Sequence, residues 1–189
     1  MTRILPLNKA LRILLGTNAI ILIASYMFGP IYALFVEKVG GDLLDASIAG
    51  GIYALAAALT TMLMGRFTDR IKEQELVVVL GYSILALAYL GFFFVDSTVK
   101  LLVVQAAIGF GEAIYSPAFD AVYSKHLATK RAGSQWGAWE SMNYFTAASG
   151  SVIGGYIASV WGFPALFIVM SVLCAVSGLY IYTLPRREL

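Results

Sequence analysis

Carboxylates are scarce in this chain, and two of them stand where a carboxylate is costly. Glu112 interrupts an apolar stretch about halfway along, and Glu140 opens another beside Trp136, Trp139 and Asn143. At helical spacing, Gln105, Gly109, Glu112, Ser116 and Asp120 share one face, with Tyr115 beside them. Trp136, Glu140, Asn143, Ala147, Gly150 and Gly154 share a second face. A third carries Asn18, Ser25, Tyr26, Gly29 and Tyr32, with Pro30 available to bend its helix. An ionised carboxylate facing lipid costs ~2.5–3.5 kcal/mol on insertion scales, so such faces must meet protein or water. Three polar faces around a cavity suit a small organic solute, which makes Asn18, Tyr26, Gln105, Glu112, Tyr115, Trp136, Trp139 and Asn143 the candidate pathway. A carboxyl group that alternates between water and the membrane interior changes its readiness to hold a proton. Glu112, and after it Glu140, are therefore the candidates for proton exchange. Taken singly, each residue could equally serve as an interhelical hydrogen-bond partner.

The elements that must position these residues are transmembrane helices. Apolar residues make up 60% of the 189 and charged residues 13%, about half the charged share of an ordinary globular protein. The charges are bunched: Ile13 to Val36, Ala46 to Gly65, Leu76 to Val95 and Ser141 to Pro185 contain none. Runs of about 20 apolar residues match a ~30 Å hydrocarbon core when helical. The sequence predicts an all-α membrane protein, one domain over residues 1–189, with six transmembrane helices at about 11–36, 47–65, 76–95, 101–123, 134–160 and 164–184. Trp161-Gly162-Phe163-Pro164 supplies the turn that the last charge-free stretch needs.

Orientation follows from the basic residues. Arg3, Lys9, Arg12, Arg66, Arg70, Lys72, Lys125, Lys130, Arg131, Arg186 and Arg187 fall on one side of a six-span chain, and only Lys38 and Lys100 on the other. Eleven against two predicts both termini in the cytoplasm of a multi-pass protein of the cell (inner) membrane. Cys174 is alone, so a disulfide or zinc framework is excluded, and no metal site or cofactor is expected. The net charge of +2 gives no reason to expect nucleic acid as a partner. Leu11 to Val36 is too long for a signal-peptide core. No His-Glu-x-x-His occurs, and His126 lies in a charged loop away from any serine it could activate, so an enzyme is not expected. Ser47, Gly50, Ala54, Ala58, Thr61 and Gly65 form a stripe of small residues that lets another backbone approach, within the chain or in a partner.

Gly65-Arg66-Phe67-Thr68-Asp69-Arg70, between the second and third helices, resembles the Gly-x-Leu-x-Asp-Arg motif of the major facilitator superfamily. Phe67 replaces Leu, and Lys72, Glu73 and Gln74 stand where Gly-Arg-Lys is usual. Gly150-Ser151-Val152-Ile153-Gly154-Gly155 is similar to the family's Gly-Pro-x-x-Gly-Gly motif, with Ser for Pro. Gly109-Phe110-Gly111 resembles the end of its Arg-x-x-x-Gly-x-Gly segment, with Gln105 at the arginine position. Trp161-Gly162 followed by Phe167 is typical of the approach to its sixth helix. The resemblance spans all six helices and implies a half bundle, closer to the N-terminal half, built as a 3+3 inverted repeat. It implies a cytoplasmic gate at Gly65, Asp69 and Arg70, which Asp120 is placed to join, and a glycine motif at Gly150, Gly154 and Gly155. The function it implies is secondary active transport of a small organic solute, sugar or drug-like, by alternating access with proton coupling. Membrane lipid and a second six-helix half, as a homodimer, are the expected partners. A non-transporting module, or one half of a twelve-helix transporter, is the alternative.

Overall fold

Helix ends in this chain are set by caps and breakers that lie outside the apolar runs. A computed structural model describes residues 7–185; Arg3, Arg186 and Arg187 of the charge count lie outside the described residues. The first helix, Lys9–Lys38, starts at Asn8, whose side chain accepts the Leu11 N–H at 2.8 Å. It is interrupted after Tyr26 by the 3-10 turn Gly29–Ile31 and resumes as Tyr32–Lys38. Pro30 is the cause, since it has no N–H to give and crowds the carbonyl four residues back. The second helix, Leu43–Thr68, opens on a reciprocal capping box in which the Asp45 N–H donates to Asp42 at 2.9 Å and the Asp42 N–H to Asp45 at 3.0 Å. The third runs Gln74–Gly91 and tightens into a 3-10 turn at Phe92–Phe94, and the fourth is Thr98–Lys125. These helices extend past the expected 47–65, 76–95 and 101–123 at one or both ends, because hydropathy marks the part in hydrocarbon and caps mark the helix.

The last helical run, Ala132–Thr183, has 52 residues. Unbroken it would reach ~78 Å, more than twice a bilayer core. It is broken at Gly162, whose φ of 82° lies in the left-handed region that glycine tolerates, so it forms the fifth and sixth helices. Among the described residues, five continuous runs are long and apolar enough to span a membrane, and with the break at Gly162 they supply six crossings.

Packing follows one rule twice. The second helix crosses the fourth at Gly109, where a Cβ would collide with the Tyr53 carbonyl, and the fifth crosses the first at Gly154, where it would collide with the Met27 carbonyl. The third packs on the fourth at Gly81, and the sixth on the first, where the Ser177 hydroxyl donates to the Thr17 carbonyl at 2.7 Å. Exchanging the first three helices with the last three maps this set of neighbours onto itself, as an inverted repeat requires. Close approach through small residues replaces the hydrophobic effect, which cannot hold helices together in lipid. One end of the bundle is closed by Phe28, Phe35, Phe92, Phe163 and Phe167, with Phe28 and Phe92 4.9 Å apart and Phe92 stacked on Phe167 at 5.0 Å.

Candidate functional site

Where the first, second and fourth helices diverge, above the Gly109 crossing, they leave a cavity of about 310 Å³. It sits in the half of the bundle nearer the loops at 39–42 and 95–97. The first helix lines it with Ser25, Phe28, Gly29 and Tyr32, the second with Ala46, Gly50 and Tyr53, the third with Tyr89 and Phe92, and the fourth with Gln105, Ile108 and Glu112. The interruption at Pro30 brings Gly29 and Tyr32 to this wall. Tyr53 donates its hydroxyl to Glu112 Oε2 at 2.6 Å, a length usual for a hydroxyl on a carboxylate. Ser25 and Tyr89 share a hydrogen bond of 2.8 Å. The buried Tyr32 hydroxyl makes no well-formed hydrogen bond among the described residues, and the Gln105 side chain is its polar neighbour. The wall therefore presents one acid and a loosely paired hydroxyl and amide, set among aromatic rings.

Of the residues expected on the pathway, Gln105 and Glu112 line this cavity. Tyr26 and Asn143 are joined across the first and fifth helices, Tyr26 donating to Asn143 Oδ1 at 2.7 Å. Asn18 and Tyr115 turn elsewhere. Asn18 is buried and accepts from the Tyr82 hydroxyl at 3.3 Å, and Tyr115 meets the same Tyr82 ring edge-on at 4.9 Å. Both belong to the seam with the third helix. Trp136 packs on Tyr123 at 5.0 Å and on Trp139 at 6.0 Å, at the opposite end of the bundle, and the buried Trp139 Nε1 has no partner among the described residues. Glu140 is exposed.

Tyr53, Tyr89, Phe28 and Phe92 are wall residues that sequence reasoning missed. Tyr53 had a signal, since it stands three residues after Gly50 and four before Ala57, on the turn that faces Gly109. The glycine motif divides its work. Gly150 lies under the Ile23 carbonyl, 2.8 Å from where its Cβ would be, and Gly154 under that of Met27, while Gly155 faces open space. Gly65 also has open space around it. Asp69 is the C-cap of the second helix, with Arg70 next to it, and both side chains are exposed. Neither forms a side-chain hydrogen bond or ion pair among the described residues, and Asp120 is likewise exposed.

Residues 14–189 match the family profile of the Major Facilitator Superfamily. Multidrug resistance protein MdtG of Yersinia enterocolitica is 26% identical over 185 residues, which cover 95% of this chain and 44% of the relative. The protein of the same name from Erwinia billingiae is 25% identical over 177 residues, 91% of this chain and 43% of that one. That of an Escherichia coli strain is 24% identical over 185 residues, 95% and 45%. The chain thus spans a little under half the length of the curated relatives it matches. A multi-pass helical membrane protein with an inverted-repeat half bundle, matched to the profile along nearly its whole length, this chain belongs to the major facilitator superfamily of transporters.

Proposed function

We propose that the chain is a six-helix half of a secondary active transporter that moves a small amphipathic organic solute by alternating access, with Glu112 as the group that exchanges a proton. The observation that carries this reading is the Glu112 carboxylate on an aromatic cavity wall, held by the Tyr53 hydroxyl at 2.6 Å. Tyr53 gives the carboxylate a donor when it is ionised, and a cationic or hydroxylated solute competes for the same oxygen. A drug-like cation fits better than a sugar. The cavity has no basic side chain, and most of its hydroxyls are already engaged, which leaves little to satisfy a ring of sugar hydroxyls. The relatives named for multidrug resistance agree with this choice.

Proteoliposomes loaded with a pH-sensitive dye test it. A lipophilic cation such as ethidium is expected to drive proton movement in wild type, and Glu112→Gln to lose concentrative transport while keeping exchange. Unchanged pH-dependent accumulation by Glu112→Gln would refute the assignment and move coupling to Glu140.

The pathway closes against a second six-helix unit. The cavity wall carries Gln105 and Glu112, polar groups that lipid does not satisfy, so its open side calls for cover. A two-fold homodimer would supply it with a second copy of Glu112. A different half would supply it equally, and the length of the relatives favours that second reading. The particle mass in nanodiscs, read with transport, separates the two: a transporting dimer supports the homodimer, a monomer that does not transport points to a missing different half, and a transporting monomer overturns both. In the inner membrane the charge bias supports an orientation with both termini in the cytoplasm. Cysteine at Ser97 should then label from outside and at Ser124 from inside, and the reverse pattern would overturn that orientation.

A further inference from the structure

A groove of about 430 Å³ opens on the outside of the bundle between the first and sixth helices, remote from the Glu112 cavity. Ile13, Gly16 and Ile20 form one wall, Val176 and Tyr180 the other, and Arg12 stands at its end. Thr17 and Ser177 make the floor, and both hydroxyl protons are spent inside the protein. Thr17 donates to the Ile13 carbonyl at 3.0 Å, and Ser177 to the Thr17 carbonyl at 2.7 Å. The floor therefore presents no free donor, as a surface against hydrocarbon must not. Gly16 has open space where a side chain would stand, so the groove is kept clear by residue choice.

The groove faces the surroundings of the bundle. Asn18 and Ser25 point to Tyr82 and Tyr89 of the third helix, and Gly16 and Ile20 lie on the opposite side of the first helix. Arg12 is exposed and donates through Nε to the Leu7 carbonyl at 3.0 Å. That bond holds the guanidinium at the groove's end, and its terminal nitrogens have no partner among the described residues. From Arg12 to Ile20 the helix rises ~12 Å, most of the depth of one hydrocarbon leaflet. We infer that this groove binds an anionic phospholipid, one acyl chain lying over Gly16 and the phosphate on Arg12. A second groove of about 430 Å³, between the third and sixth helices at Ala86, Leu87, Ala175 and Tyr182, has no charged lining residue. It has the same room without the anion site, and serves as an internal control.

The test uses the full chain in phosphatidylcholine nanodiscs carrying a minor share of spin-labelled phosphatidylglycerol, with the motionally restricted fraction read by electron spin resonance. Wild type is expected to prefer phosphatidylglycerol over labelled phosphatidylcholine. Arg12→Gln should lower that preference about fivefold, the equivalent of ~1 kcal/mol for a basic residue at the membrane surface. Arg12→Lys should retain most of it. Gly16→Leu should abolish the preference for phosphatidylglycerol, and Ala175→Leu in the control groove should leave it unchanged. If Gly16→Leu does not fold, Arg12→Gln at its exposed position decides. The inference is overturned if Arg12→Gln keeps the wild-type preference, or if inorganic phosphate alone displaces the label. A groove that restricts no lipid while Gly16→Leu alters the particle mass would belong to a polypeptide, and overturns it as well.

Discussion

The second and third helices are both apolar enough to cross a membrane, yet half of the third helix's apolar stretch is buried in the bundle and only 6% of the second's. Composition does not explain the difference, because glycine and alanine are plentiful in the second. Placement does. Gly81 of the third helix lies against the backbone of the fourth, and Tyr82 against Gly178 of the sixth. The second helix meets the fourth through Tyr53 and Ala57, while Gly50 and Gly65 of its small-residue stripe have nothing within 4 Å. Small residues in the third helix answer a neighbour in this chain. In the second helix Gly50 opens instead on the cavity, and Gly65 has open space around it.

The sharpest way to break the comparison is one added methyl group on each helix. Gly81→Ala places a Cβ 2.8 Å from the Gly111 carbonyl, and overpacking against backbone costs ~1–3 kcal/mol. The thermal midpoint in detergent is expected to fall by several degrees. Gly50→Ala should leave that midpoint unchanged, and equal losses in the two variants would mean the second helix is covered within the chain. A smaller effect is expected from Tyr82→Phe, which removes the donor to buried Asn18. The loss is about 1 kcal/mol of stability in chemical denaturation, with transport per folded molecule unaltered. A fall in transport alone would return Asn18 to the pathway.

Asp69→Asn should change stability by less than ~0.5 kcal/mol, since the side chain is exposed and makes no hydrogen bond or ion pair among the described residues. Transport is expected to slow nonetheless if Asp69 gates the cytoplasmic end, and a wild-type rate in proteoliposomes would remove it from the gate. The smallest effect belongs to Asp96. Lys100 donates to it at 2.6 Å and holds its carboxyl below the ordinary carboxylate value. A depressed value in the folded state stabilises above the unfolded value and is lost as pH falls through the folded one. Because the pair is fully exposed, Asp96→Asn should alter only the acid limb of a stability titration, and barely.

Much of this architecture was legible in the sequence, for a physical reason. A bilayer demands about 20 apolar residues per crossing and tolerates no unpaired backbone, so charge-free length reports helix number directly. The break at Gly162 was legible too, because Gly and Pro stand together there. Which neighbour a polar residue faces was not. Tyr115 is one turn from Glu112, yet the fourth helix is wedged between the second and third, and a rotation of about 60° moves a side chain from the cavity to the seam with Tyr82. Periodicity defines a face, and only packing says what that face meets. Tyr53 was hidden for the converse reason, as an aromatic within a run that reads as close-packing small residues.

The interruption of the first helix has a mechanical consequence. Pro30 cannot donate a helical hydrogen bond, so flexing the chain there breaks no such bond at that residue, whereas flexing an intact helix would. The third and sixth helices hold both parts, through Asn18, Ser25 and Thr17 before the joint and Phe35 after it, while the glycines of the fifth helix touch only the longer part, at Ile23 and Met27. Flexing at Pro30 would shift the longer segment relative to Tyr32–Lys38. Gly29 and Tyr32, which sit at this joint and on the cavity wall, would be the first parts of that wall to register the movement.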